Sequence, residues 1–120
     1  MGKLSRDKGK IGEREVVQLL KDWGWKAKRG QQFRGGPDSP DVIHNMVNLD
    51  PAGIEIAIEV KWRQQLNLYD ALKKLTDEQK PGEPIIPTVF HRKDRKDWLV
   101  TLDANDFLEI VYCMHHYNDI

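Results

Sequence analysis

The sequence of 120 residues has a single cysteine, Cys113, and no long apolar run. One cysteine excludes a disulfide within the chain and is compatible with a reducing compartment. A membrane-spanning helix needs about 20 consecutive apolar residues, and no stretch approaches that length. The N-terminal KLSRDKGK contains no apolar segment of the kind that a secretory signal carries. We therefore expect a cytoplasmic protein without a membrane partner.

The sequence also lacks an excess of charge of either sign, since 19 Lys and Arg residues balance 19 Asp and Glu residues. A zero net charge argues against a nucleic-acid partner until the distribution of the charges is considered. Residues 1–36 contain ten basic and four acidic residues, a net charge of +6, and the rest of the chain has −6. Such a split is typical of a protein with one face for a polyanion, although a run of charges is also typical of plain solvated surface.

Length and apolar content indicate one domain. A chain of 120 residues with 39% apolar residues can form one compact domain with a small core. We expect this domain to span residues 1–120, with 1–7 as a flexible basic N-terminal arm. A small domain without disulfides often gains stability from association with further copies, and an oligomer is therefore expected.

Apolar periodicity and turn residues predict the element order α-β-β-β-α-β-β-α. Helices are expected at about 8–23 and 68–79 and from Asp103 to about 115; strands are expected at about 25–33, 41–48, 54–62, 85–92 and 98–102. The second and third strands form a hairpin. Asn67 and Asp103 are predicted helix caps, Asp70 completes a capping box with Asn67, and Pro87 indicates a strand edge or a bulge. The expected fold is a single α/β domain with a central mixed β-sheet flanked by helices.

The third predicted strand places two charged residues on one face. Its apolar residues Ile54, Ile56, Ile58, Val60 and Trp62 alternate with Glu55, Ala57, Glu59 and Lys61. The hairpin brings Asp41 near Glu59 and Lys61. Two carboxylates and the carbonyl of Val60 form an all-oxygen site suited to Mg²⁺ or Mn²⁺. A neighbouring lysine can activate a water or stabilise charge on a phosphate.

Each of these residues also has a simpler explanation. Glu59 and Lys61 occur as a pair on many solvated strands. Glu13 shares a predicted helix face with Val16, Val17 and Leu20; it is either a first-turn acid favoured by the helix dipole, facing solvent as Glu15 should, or a further carboxylate for the metal site.

Three motifs occur in order along the chain: GKIGERE at 9–15, SPDV at 39–42 and IEVK at 58–61. Together they resemble the PD-(D/E)XK nuclease superfamily and, within it, the archaeal-type (Hjc-like) Holliday junction resolvases, which also occur in phage-like versions. The similarity spans about residues 8–102. It implies a restriction-endonuclease-like core and a homodimeric endodeoxyribonuclease. Such an enzyme depends on Mg²⁺, with Mn²⁺ as a substitute, and introduces paired nicks into four-way DNA junctions.

The resemblance also implies roles for individual residues. Glu13, Asp41 and Glu59 would form the acidic, metal-binding cluster with the Val60 carbonyl, and Lys61 would be the catalytic lysine. The predicted DNA contacts are Arg14, Arg29 or its competitor Arg34, Ser39, Gln64 and the basic N-terminal residues Arg6, Lys8 and Lys10.

The stretch GGPDSPDVI at 35–43 offers two aspartates for the site. Asp41 is favoured because it directly precedes the apolar Val42-Ile43, at the start of a strand, whereas turn chemistry alone explains Asp38. Residues 34–39 then become a candidate flexible loop against the DNA backbone. Two other functions stay open: another nuclease of the same superfamily, of the restriction, nicking or repair type, and a catalytically inactive module that only binds DNA.

Overall fold

The computed structural model describes residues 2–30, 40–46, 54–79, 82 and 84–118, with side chains between Asp7 and His116. The elements follow the predicted order: α1 (Gly2–Asp22), β1 (Ala27–Arg29), β2 (Val42–His44), β3 (Glu55–Trp62), α2 (Leu68–Asp77), β4 (Ile85–Arg92), β5 (Leu99–Thr101) and α3 (Ala104–Asn118). None of the helices in these ranges has the length and apolar character needed to cross a membrane.

Within the described residues the strands form one five-stranded mixed sheet in the order β1-β2-β3-β4-β5. β3 and β4 are parallel along their whole length, from Glu55 opposite Ile85 to Trp62 opposite Arg92. The other neighbouring strands are antiparallel. Parallel strands need a long crossover, and α2 supplies it while packing against β4. The mixed sheet of the predicted α/β fold is thereby confirmed.

The core lies between α1 and the sheet. Val16, Val17 and Leu20 of α1 pack against side chains from the three central strands: Val42, Ile58, Val60 and Phe90. Ile58 and Val60 are 1% and 8% exposed, so the predicted apolar face of β3 is confirmed. Because side chains alternate along a strand, Glu59 and Lys61 project from the opposite face of the sheet.

The predicted helix caps also form. The side chain of Asn67 accepts a hydrogen bond from the backbone N–H of Asp70 at 3.1 Å, before α2 begins. Asp103 accepts one from the N–H of Asn105 at 2.9 Å, at the start of α3. Pro87 lies in β4 outside the segment Val89–His91 that pairs with β5, so it occupies a local edge, where its missing N–H is tolerated.

Two predictions about the first helix are wrong. α1 begins at Gly2 instead of about Lys8, so residues 2–7 continue the helix, and their flexibility as an arm stays a prediction. Lys3, Leu4 and Arg6 in this stretch are good helix formers, and a glycine in a helix interior, such as Gly9, costs only about 1 kcal/mol. Trp23, predicted to share the apolar face of the helix, lies beyond its last turn and is 79% exposed.

α3 has an exposed apolar surface. Five of its side chains are between 45% and 63% exposed: Phe107, Leu108, Val111, Tyr112 and Met114. We call this set the α3 apolar surface. These apolar side chains are therefore available for contact with a further surface.

Gly30 leads from β1 to the residues before β2, and its backbone lies very close to Pro40. Its N–H donates to the carbonyl of Asp41 at 2.9 Å, and a Cβ added to Gly30 would collide with the Pro40 carbonyl oxygen. We expect Gly30→Ala to lower the free energy of unfolding by roughly 1–3 kcal/mol, because the Pro40-Asp41 backbone must shift. Urea unfolding measures this loss.

Gly9→Ala is the matched control, since nothing lies within 4 Å of an added Cβ at that helical position. It should leave stability unchanged or raise it by up to about 1 kcal/mol. Equal stability of Gly30→Ala and the wild type would contradict the close approach.

Candidate active site

Asp41 is fixed to the sheet by its main chain and by its side chain. Its N–H donates to the carbonyl of Ile58 at 3.2 Å, and its own carbonyl accepts from Gly30. Its carboxylate oxygen Oδ2 accepts a hydrogen bond from the N–H of Val60 at 2.7 Å. The residue is 4% exposed. The carboxylate therefore has one fixed position against the middle of β3.

The surroundings of Asp41 disfavour its ionised form. Burial, together with the negative charges of Glu59 and Glu13, raises the pKa of this carboxyl from 3.8 to about 7. The hydrogen bond from Val60 and the charge of Lys61 act in the opposite direction, with smaller effect. Glu59, Glu13 and Lys61 therefore lie close enough to Asp41 for their charges to act on it, and their catalytic roles stay predictions.

Glu59 and Lys61 lie on the same face of β3, two residues apart. The Lys61 Nζ is 3.5 Å from the Glu59 Oε1, and the two side chains are 23% and 26% exposed, respectively. Val42 pairs with Ile58 in the antiparallel β2–β3 ladder, so extending this register by one residue sets Asp41 opposite Glu59. Half-burial leaves both charged groups accessible from solvent, as a substrate would require.

Glu13 reaches the site from the middle of α1. Its Oε1 accepts a hydrogen bond from the Arg29 Nε at 3.0 Å, and its side chain is only 13% exposed. A first-turn acid that faces solvent would be neither in mid-helix nor buried. That alternative for Glu13 is wrong, and the structure brings Glu13 and Arg29 together beside Asp41.

The donor groups suit a hard divalent cation. Asp41, Glu59 and the Val60 carbonyl offer only oxygen, the ligand type preferred by Mg²⁺ and Mn²⁺, and a bound cation would relieve the cost of ionising Asp41. In the described residues no three or more His, Cys, Asp or Glu side chains are close enough together to hold a metal ion. Glu13 is engaged by Arg29, and its role as a ligand stays a prediction.

The predicted DNA contacts occupy different places. Arg14 and Lys10 are exposed on α1. Lys8 binds Asp94 at 3.0 Å, and the Gln64 side chain accepts from the backbone N–H of Asp94. The remaining candidates, together with Asp38, lie outside what the structure describes: Arg34, Ser39 and the side chain of Arg6.

Sequence reasoning missed a cluster of contacts at the ends of β3 and β4. Glu15, expected to face solvent, binds the Arg92 guanidinium at 2.8 Å and the Trp98 indole N–H at 3.0 Å. The expectation for Glu15 is therefore wrong. The Arg92 guanidinium also stacks over Trp62, 4.4 Å from its ring centre. These partners are far apart in the sequence. The only sequence signal for the contacts is the alternation of β3, which places Trp62 on the face of the sheet that α1 covers.

The raised pKa of Asp41 predicts a pH-dependent stability without metal. Because the folded state holds this proton more tightly, its contribution to stability is complete below pH 4 and is lost as the pH rises to about 7. Asp41→Asn keeps an acceptor for Val60 without the charge. We expect the metal-free variant to exceed the wild type at pH 8 by up to about 4 kcal/mol in the free energy of unfolding, and by little at pH 4.

Urea unfolding in EDTA across this pH range measures the difference, with Asp7→Asn, an exposed aspartate of α1, as control. A difference between Asp41→Asn and the wild type that does not grow with pH would contradict the burial of an ionisable Asp41. Added Mg²⁺ should raise the melting temperature of the wild type and not that of Asp41→Asn.

Comparison with known proteins identifies the family. A family model described as archaeal Holliday junction resolvase (Hjc) matches residues 4–109. The crossover junction endodeoxyribonuclease Hje of Sulfolobus acidocaldarius is 31% identical over 121 aligned positions, which cover 88% of this chain and 85% of that protein. The structure of Archaeoglobus fulgidus Hjc has a similar fold, with a TM-score of 0.53 and 23% identity over 78% of this chain and 75% of the other. The chain belongs to the archaeal Holliday junction resolvase family.

Proposed function

We propose that this chain is a metal-dependent endonuclease that resolves four-way DNA junctions, acting as one nuclease domain over residues 1–120. The observation that carries the proposal is the buried carboxylate of Asp41, held on the Val60 N–H and acted on by the charges of Glu59 and Lys61. A buried acid with its pKa raised to about 7 is costly for a purely structural role, whereas a catalytic site uses such an arrangement.

Asp41, Glu59 and the Val60 carbonyl are the groups that would hold Mg²⁺, with Mn²⁺ as a substitute. Such a cation, when bound, lowers the pKa of a coordinated water and neutralises charge on the phosphate. Asp41 must be ionised for this role, so metal binding should strengthen as the pH rises toward 7. Buried oxygens with fixed positions lose little entropy when they bind the ion.

Lys61 stands beside these ligands and is partly accessible. Its ammonium group, 3.5 Å from Glu59, would orient the attacking water or donate to the phosphate oxygen on which negative charge builds. Glu13 and Arg29 form a second charged pair at the site. In the proposed complex, Arg29 turns part of its guanidinium to a phosphate, and Glu13 keeps Arg29 in place or holds a metal-bound water.

The proposed reaction is phosphodiester hydrolysis. The water oxygen attacks phosphorus in line with the leaving 3′ oxygen, the P–O3′ bond breaks, and the 3′ oxygen takes up a proton. The products are a 5′-phosphate and a 3′-hydroxyl. The chain's residues position the water and the phosphate, which is the main task of the protein in phosphoryl transfer.

DNA would approach along α1 and the loop before β2. Arg14 and Lys10 are exposed there and would bind backbone phosphates, with Arg6, Arg34 and Ser39 as further predicted contacts. Branched DNA arises inside cells, so we propose that the protein acts there, in agreement with the cytoplasmic location expected from its sequence.

Paired cuts require two active sites, which a symmetric dimer would supply. The α3 apolar surface supports a dimer, because exposed apolar side chains that lie together on one helix are typical of protein interfaces. We propose that two copies associate through α3.

A panel of four-way junction, flap and plain duplex DNA tests the activity. In Mg²⁺ the wild type should cut the four-way junction in preference to the other substrates. Asp41→Ala and Glu59→Ala should lower cleavage at least roughly a thousandfold, because the loss of a metal ligand removes several kcal/mol of transition-state stabilisation. Junction binding, measured by gel shift without metal, should persist in both variants.

Asp22→Ala, at the exposed end of α1, is the control and should cleave like the wild type. Equal cutting of plain duplex would contradict the junction specificity, and binding without cutting in both Mg²⁺ and Mn²⁺ would favour an inactive DNA-binding module. An active Asp41→Ala beside an inactive Asp38→Ala would show that the metal ligand is misassigned.

Charge introduced on the α3 apolar surface tests the dimer. Leu108 is 59% exposed, so Leu108→Glu should fold normally but place two carboxylates in the interface. We expect a dimeric wild type and a mainly monomeric variant in sedimentation analysis. On a cruciform plasmid, the variant should give nicked circles where the wild type gives linear product, since paired cuts within one encounter need both sites.

Trp23→Glu is the matched control, because Trp23 is an apolar residue outside α3 that is 79% exposed. It should remain dimeric and produce linear plasmid. A Leu108→Glu variant that stays dimeric would place the interface elsewhere.

A further inference from the structure

The turn between β4 and β5 carries several exposed charges. Its sequence is KDRKD at 93–97, and the three cations Lys93, Arg95 and Lys96 are all exposed. Arg95 has a φ of 63°, a left-handed conformation that glycine and asparagine adopt more readily than arginine. Residues in this region cost of order 1 kcal/mol and persist where their surroundings hold them. The turn therefore has a defined shape that the surrounding contacts must maintain.

Asp94 provides these contacts. Its Oδ1 accepts from the Trp62 indole N–H at 2.7 Å and from the Lys8 ammonium at 3.0 Å, and its backbone N–H donates to the Gln64 side chain. Hydrogen bonds from Lys8 and Trp62 lower the pKa of Asp94, so its carboxylate stays ionised near neutral pH. One aspartate thus joins the turn to α1, to the end of β3 and to the residues after β3.

The turn lies at the same edge of the sheet as Lys61. β3 and β4 are parallel, with Lys61 opposite His91 and Trp62 opposite Arg92, so Lys93 begins the turn directly beyond the end of β4. The Arg63 N–H donates to the Arg92 carbonyl at 3.0 Å, which keeps the two chain segments together past the strands. Since a strand advances by about 3.3 Å per residue, the turn begins within roughly 10 Å of Lys61.

Exposed cations outnumber exposed acids at this edge of the sheet. Asp94 is neutralised by Lys8, while Lys93, Arg95, Lys96 and Arg63 are exposed beside one further exposed acid, Asp97. The edge therefore has an excess of cations although residues 37–120 are acidic as a whole. The sequence assigned the polyanion-binding charge to residues 1–36, and the fold adds a second group from far along the chain.

We propose that residues 93–97 form a phosphate-binding turn that holds the DNA backbone next to the cut site, with Asp94 as the residue that positions it. This inference rests on the proposed function and adds a binding surface to it. The fixed turn would contact phosphates of a duplex arm as it leaves the active site. Cations on a rigid turn lose less conformational entropy on binding than cations on a free loop.

The variant Lys93→Gln/Arg95→Gln/Lys96→Gln tests the surface. Glutamine keeps an unbranched polar side chain at each position and the backbone strain at position 95 while removing three charges. In EDTA, where no cleavage occurs, we expect junction affinity to fall roughly tenfold or more near physiological salt, and the slope of log K against log salt to fall by about 2–3. Fluorescence anisotropy across a salt series measures both quantities.

The control removes three lysines that lie outside residues 1–36 and outside the turn: Lys73→Gln/Lys74→Gln/Lys80→Gln. It changes the net charge equally, so it should bind junctions with nearly the affinity and salt slope of the wild type. Circular dichroism establishes that both variants are folded. If the wild type cuts junctions and the two triple variants bind alike, the turn has no special role and this inference fails alone. If the wild type neither binds nor cuts junctions, the proposed function fails as well.

Asp94→Ala separates positioning from charge. This change raises the net charge by one and frees Lys8, so a simple electrostatic surface would bind DNA more tightly. A turn that Asp94 holds in place should instead bind roughly threefold to tenfold more weakly, because its cations become mobile. Loss of affinity in Asp94→Ala supports the positioning role, and a gain in affinity overturns it.

Discussion

The hydrogen bond between the Asp41 carboxylate and the Val60 N–H is the constraint on which the site depends. In an antiparallel ladder the backbone of β2 would supply the acceptor for this N–H. Here a side chain does so, which satisfies a buried donor at the point where the β2–β3 pairing ends. The bond is made to the residue between Glu59 and Lys61. Fixing Asp41 to Val60 therefore fixes it between the two charged side chains of β3.

Holding the Asp41 carboxylate in this buried position has an electrostatic cost, which the neighbouring charged groups modify. Burial and two neighbouring carboxylates raise the pKa of Asp41, while Lys61 and the Val60 N–H only partly oppose them. Arg29 offsets the charge of Glu13 and lies at its carboxylate. The metal ion of the proposed function would relieve this excess of negative charge. Metal binding and folding stability would then be linked through one carboxyl group.

Features that depend on residues close together in the sequence could be predicted, and features that depend on distant residues could not. The alternation of β3, the Pro-Asp before β2 and the caps at Asn67 and Asp103 depend on neighbours within a few residues, and all are found. Glu15 and Trp23 were assigned wrongly because their burial is decided by partners that lie far along the chain or are missing at the helix end. The start of α1 at Gly2 could not be predicted from apolar periodicity, because the first turns of the helix have no apolar face. For Glu13, the sequence predicted the correct helix face, but only the tertiary structure identifies Arg29 as its partner.

The location of the charges in the fold, and not their sum, explains how a chain of zero net charge can act on a polyanion. Electrostatic interactions across solvent decay over about 8 Å at physiological salt, whereas the molecule extends 52 × 32 × 26 Å. DNA at one face therefore experiences the charges of that face and little of the acidic residues on the far side. Several acids near the site are paired, Glu13 with Arg29, Glu15 with Arg92 and Asp94 with Lys8, and these pairs connect the elements that carry the exposed cations. In the proposed function, the paired acids would hold these elements in place and the exposed cations would attract the DNA.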